Sequence, residues 1–124
     1  MATITEDYVS FETAKLLKEK GFTETCLMRY NKVGDLVEEA YKFNWNFQTI
    51  DYSAPTLQMA MKWLREIHNI VINIGYGEIF EEQYQWWCII LNHKDGSILR
   101  ESEYYSTYEQ ACEAAIQYSL KNLI

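Results

Sequence analysis

The stretch Tyr84–Leu91 (Tyr, Gln, Trp, Trp, Cys, Ile, Ile, Leu) restricts the fold more than any other part of the chain. Alternate residues of a strand point to opposite faces. Tyr84, Trp86, Cys88 and Ile90 therefore share one face, and Trp87, Ile89 and Leu91 line the other. Both faces are apolar. Such a strand is central in a sheet covered on both sides, or is covered by helices on one side and by a partner on the other. It dictates a core rather than a chemistry.

With 124 residues the chain has the length of one ordinary domain, spanning 1–124, and is long enough to bury most of its unfolded surface. A hydrophobic fraction of 48%, one Pro and five Gly argue against disorder. Eleven basic and 18 acidic residues give a net charge of -7, which repels phosphate backbones and anionic membrane surfaces. Neither a nucleic-acid nor a membrane partner is expected. Met1–Ser10 carries Glu6 and Asp7 and no apolar run of signal-peptide length, and no segment is long enough to span a bilayer. Cys26, Cys88 and Cys112 are odd in number and lie in apolar stretches, which fits reduced core thiols in the cytoplasm.

Taken in order, Ser10 is an N-cap and Phe11, Ala14 and Leu17 form one helical face before Gly21, which predicts a helix over Phe11–Lys20. Cys26, Met28 and Tyr30 share a strand face, Asn31–Gly34 supply a turn, and Leu36 and Val37 begin a return strand. A helical turn over Asp35–Tyr41 is the alternative, because Leu36, Glu39 and Ala40 also suit that period. Tyr41, Phe43, Trp45 and Phe47 alternate with polar residues, as in an edge strand or extended loop that buries its aromatic side. Their functional reading is a stacking platform, but aromatic stripes at a structural period are usually core.

Pro55 marks a helix start, and Leu57, Ala60, Met61, Leu64, Ile67 and His68 follow at helical spacing up to Asn69. A strand from Ile70 is expected to stop at Gly75-Tyr76-Gly77, followed by a loop with Glu78, Glu81 and Glu82 and then the strand from Gln83. Asn92–Gly96 form a hairpin turn, with a partner strand over Ser97–Tyr105. Ser106 and Glu109 have the offset of a capping box, and Ala111, Cys112, Ala115, Ile116, Ser119, Leu120 and Leu123 make one apolar face. The order helix, hairpin, helix, three strands, helix defines an α+β fold with helices packed on an antiparallel sheet.

No stretch has the spacing of a catalytic, metal-binding or phosphate-binding motif. A nucleophile needs a base within reach, and the only histidines are His68 and His93. Cys88 and Cys112 fall in apolar patterns that suit core packing. His68 lies near a helix end, where its charged form suits the dipole. An enzyme or ligand-binding domain would have to draw on His68, Glu66 or Cys112. With no CxxC, HxxxH or calcium loop, neither a metal nor a cofactor is expected. Gly75-Tyr76-Gly77 precedes a strand rather than a helix and is not a nucleotide loop.

No Lys or Arg occurs between Arg65 and Lys94, so Glu66, Glu78, Glu81 and Glu82 are candidates for an uncompensated acidic patch facing a basic protein, or for mimicry of nucleic acid. The order from Pro55 onward is also that of the double-stranded-RNA-binding domain. That family reads phosphates with lysines at the start of its last helix, where this chain has Ser106, Thr107, Tyr108, Glu109 and Gln110.

Three blocks, YVSFETAKLLKEKGF (Tyr8–Phe22), SAPTLQMAMKWLREIHNI (Ser53–Ile70) and TYEQACEAAIQYSLKNLI (Thr107–Ile124), together resemble a family of small uncharacterised proteins encoded on phages, prophages and mobile elements of gut Bacteroidales. The resemblance implies a phage or mobile-element origin and the host cytoplasm, and brings no activity or functional residue with it. The expectation is a non-enzymatic accessory protein that binds another protein, host-encoded or a second copy of itself, through an acidic, aromatic-rich surface including Glu78, Glu81, Glu82 and Trp87.

Overall fold

Ser10 starts the first helix as its composition requires. Its hydroxyl accepts a hydrogen bond from the Thr13 amide at 3.2 Å, which satisfies one of the free N–H groups of α1, Phe11–Glu19. At the other end Gly21 has φ +88°. The Phe22 amide returns to the Leu17 carbonyl and the Gly21 amide to that of Lys18, the two bonds of a Schellman stop with Leu17 and Phe22 both fully buried.

The computed structural model describes residues 3–124, which divide into two compact units, 3–60 and 61–124. In the first, β1 (Cys26–Tyr30) lies between β2 (Leu36–Phe43) and β3 (Tyr52–Ser53) in an antiparallel sheet. The β1–β2 turn is held by Asn31, whose Oδ1 accepts from the amides of Val33 and Asp35, each at 3.0 Å. Residues 36–43 therefore continue as a strand, and the helical alternative over Asp35–Tyr41 is not taken. Arg29 in β1 bridges Glu39 at 2.7 Å and Asp51 at 3.2 Å, joining the segments on either side of it.

The expectation that the Tyr41–Phe47 aromatics bury together is corrected. Only Trp45 is buried, its indole N–H donating to the Cys26 carbonyl at 2.7 Å, whereas Tyr41 and Phe47 are 62% and 80% exposed. For Phe47 the reason is a change of period. Asn44 caps a 3-10 turn over Trp45–Phe47, so the two-residue alternation of β2 ends before Phe47.

The boundary between the units falls inside α2, Leu57–His68. The helix is capped by the Thr56 hydroxyl, which accepts from the Met59 amide, so Pro55 precedes the cap. Leu57, Ala60, Met61 and Leu64 are buried as expected, but Trp63 joins them and Ile67 is 57% exposed. Trp63 and Ile67 are four residues apart and share one flank of the helix; the indole is covered there and the isoleucine one turn later is not. Asn69 ends the helix with φ +57°, a left-handed position that Asn tolerates.

The second unit is built on β4 (Ile70–Phe80), β5 (Gln83–Asn92) and β6 (Ile98–Glu101), antiparallel in that order, with α3 (Tyr108–Asn122) on one face. β4 does not stop at Gly75-Tyr76-Gly77, and Glu78 is not in a loop. Pairing runs from Ile70 opposite Asn92 to Phe80 opposite Gln83, and Glu81 and Glu82 alone form the turn. The glycines are a bed for Trp87. A β-carbon on Gly75 would lie 2.3 Å from the indole Cε2, and one on Gly77 would lie 3.3 Å from Cη2, so the ring spans both positions.

β6 is shorter than the expected Ser97–Tyr105. Its ladder is interrupted at Ser102, whose hydroxyl accepts from the Cys88 amide at 2.7 Å, and resumes where Tyr105 exchanges backbone bonds with Trp86. The cap of α3 is Thr107 with Gln110, one residue later than the expected Ser106–Glu109 box, because the Gln110 amide donates to the Thr107 hydroxyl. Ala111, Cys112, Ala115, Ile116, Ser119 and Leu120 are buried, against the sheet face that carries Cys88 and Ile90. Among the described residues, three α-helices and two three-stranded antiparallel sheets make the fold α+β, in the expected order of elements with the short β3 added.

Gly75→Ala should destabilise the protein by about 1–3 kcal/mol in urea unfolding, since the new methyl and the Trp87 ring claim one volume. Gly77→Ala should cost less. Combining Gly75→Ala with Trp87→Ala should cost less than the two single losses added together; simple additivity would show that the ring does not rest on Gly75.

Candidate functional site on the β4–β5 hairpin

The distal half of the hairpin brings three of the acidic residues picked out in the sequence together. Glu81 and Glu82 occupy the turn, with Glu82 at φ +55°, and the Glu82 amide donates to Oε1 of Glu78 at 2.7 Å. That bond supports a two-residue turn with neither Gly nor Asn to favour it. No ion pair of the described residues involves Glu78, Glu81 or Glu82, and all three are exposed. Glu66 lies apart on α2, exposed and 3.9 Å from Arg65.

Aromatic rings flank the acidic tip. On the α3 side Tyr76 stacks on Tyr84 at 5.9 Å and meets Trp86 at 4.5 Å, and Trp86 stands edge-on to Tyr108 at 5.4 Å. Tyr76 and Tyr84 are 55% and 53% exposed, so this row is only half committed to packing; Phe80, 68% exposed, follows a bulge after Glu78 and pairs with Gln83. Across the sheet Trp87 meets Tyr104 at 6.2 Å and 84°. Sequence reasoning named Trp87 but passed over Tyr76, Phe80, Tyr84 and Tyr104 as surface residues. For Tyr76, Phe80 and Tyr84 the signal was their place on either side of Glu81-Glu82, which is readable only once the strand is known to cross the glycines; Tyr104 had none.

The residues of the alternative chemistry are placed as follows. His68 lines a cavity of about 250 Å³ with Asn69, Ile70, Asn92, Lys94, Leu99 and Leu123; neither Glu66 nor Cys112 is part of that lining. Its Nε2 is buried without a hydrogen-bond partner, its ring stands edge-on to Trp63 at 4.7 Å, and burial lowers its pKa. Desolvation outweighs the attraction of the helix C-terminus for the charged form. Cys112 is buried on α3, and burial pushes its thiol up to about 11, as it does for Cys26. The described residues contain no group of three or more His, Cys, Asp or Glu able to hold a metal ion, and no helix among them is long and apolar enough to cross a membrane.

Two measurements follow from these environments. A thiol raised from 9.0 to about 11 has about a hundredfold less thiolate at neutral pH. Thiol titration should therefore be slow in the native protein and complete after denaturation, and fast native labelling of Cys112 would contradict its burial. Because the folded state holds a proton on His68 less readily than the unfolded chain, stability is greatest with His68 neutral. It falls as the pH drops below about 6.5 toward the folded-state value. Between about pH 7.5 and about pH 5.5, His68→Gln should lose less stability than the parent in urea melts; an equal loss would exclude His68 as the titrating group. No protein-family model, no curated protein and no solved structure matches this chain.

Proposed function

We propose that this protein is a non-enzymatic accessory protein of a phage or integrated mobile element, which acts in the host cytoplasm by binding a basic protein surface. One observation carries the reading: Glu78, Glu81 and Glu82 converge, unpaired, on a hairpin tip flanked by the exposed rings of Tyr76, Phe80 and Tyr84. Exposed aromatic rings are what protein interfaces are enriched in, and a single-sign acidic tip steers a basic partner toward them. The origin and the compartment rest on the resemblance of Tyr8–Phe22, Ser53–Ile70 and Thr107–Ile124. Two features weigh against nucleic acid despite the helix, three strands, helix order from α2 onward. The net charge is -7, and α3 opens with Thr107 as cap and Glu109 in its first turn.

Affinity capture from a Bacteroidales lysate at about 50 mM salt should retain a partner that elutes as the salt rises to about 300 mM. The triple variant Glu78→Gln, Glu81→Gln, Glu82→Gln, with circular dichroism like the parent, should retain about tenfold less of it. Equal retention by parent and variant would overturn the proposal.

A further inference from the structure

Trp87 has its ring across the β4 backbone, over Gly75 and Gly77, and also lines a cavity of about 270 Å³. The cavity is lined by Trp87, Tyr104, Ile79 and Ile89 and by Ser102, Glu78 and Glu101. Glu101 on β6 lies opposite Ile89 and so shares the face of Trp87, whereas Glu78 lies opposite Tyr84 and shares that residue's face, its Oε1 engaged by the Glu82 amide. No Lys, Arg or His lines this space. The nearest arginine in sequence, Arg100, is used elsewhere, its guanidinium 4.1 Å from the centroid of Tyr118 on α3.

We propose that this cavity receives an arginine side chain of the partner protein, with the guanidinium plane laid on the Trp87 indole and its N–H groups donating to Glu101. The inference rests on the acidic-surface reading above and supplies the chemistry of the contact. A guanidinium is planar, weakly hydrated and always charged, so it stacks on an indole and bonds carboxylates together. Glu101, with no cation among the lining residues, and the acidic tip nearby repel an anionic ligand. The ring is held in place by the glycine bed, so little order is lost when the cation arrives.

The four indole N–H signals of Trp45, Trp63, Trp86 and Trp87 allow the site to be read by NMR, with Trp87→Phe assigning its own peak. Titration with acetyl-Gly-Arg-Gly-amide should move the Trp87 signal saturably and leave Trp45 unmoved. The matching citrulline peptide, neutral and of the same shape, should bind about tenfold more weakly, and so should the arginine peptide to Glu101→Gln. Glu101 is exposed, so that variant keeps its fold. An unmoved Trp87 signal, equal binding of the citrulline peptide, or equal binding of acetyl-Gly-Lys-Gly-amide overturns the assignment. A Trp87 shift that follows protein concentration without peptide, with a dimer in sedimentation, also overturns it and gives the face to a second copy. A captured partner weakened by the triple glutamate variant but indifferent to Glu101→Gln would overturn the cavity alone. Arginine binding with no captured partner would overturn the function alone.

Discussion

An indole ring laid flat on a sheet needs a bed about two residues long, and here the neighbouring strand provides it by omitting two side chains. Trp87 lies over Gly75 and Gly77, and this contact fixes which residues of β4 and β5 face each other. A slip of one residue would set the ring against a tyrosine or an isoleucine and turn every alternate side chain of the strand to the wrong face. With the pairing fixed, Cys88 and Ile90 meet α3 on one side, and Tyr76, Tyr84 and Trp86 form a row toward the tip. The acidic turn is then carried beyond the helix. The candidate surface is thus a consequence of the same ring that closes the sheet.

The two units use charge differently. In residues 3–60 Arg29 is shared by Glu39 and Asp51, and the Nζ of Lys18 donates to the carbonyls of Gln48 and Asp51 at 2.5 and 2.7 Å. Cations there serve the fold. On the hairpin the glutamates have no cation among the described residues, and one backbone amide, that of Glu82, draws on Glu78. Much of the negative charge at the tip is left for whatever approaches from outside.

Features that local chemistry decides were legible in the sequence. Ser10 and Gly21 bound α1, the apolar row from Ala111 to Leu120 is the buried face of α3, and Tyr84–Leu91 lies in the middle strand of its sheet. The misreadings occur where a residue type has two meanings. A glycine in a strand pattern signals a stop or a bed for a ring, and only the position of Trp87 decides between them. Glu81-Glu82 carries no turn signal of its own, because its support comes from Glu78 across the turn. Phe47 falls outside the core because Asn44 changes the period ahead of it, and Thr107 rather than Ser106 caps α3 although both hydroxyls suit the role. The candidate site was half visible: the acids were counted, but their convergence depended on the strand that the glycines concealed.

Between His68, the last residue of α2, and Ile70, the first of β4, the chain has one residue, Asn69. Its carbonyl accepts from the His93 amide at 2.8 Å, so even that residue is tied to the opposite turn. The junction has no slack. One inserted residue would rotate the preceding helix by about 100° or turn β4 over. The exposed turn from His93 to Ser97, by contrast, has room for added length. Variation in chain length among related sequences is therefore expected at the second place and excluded from the first.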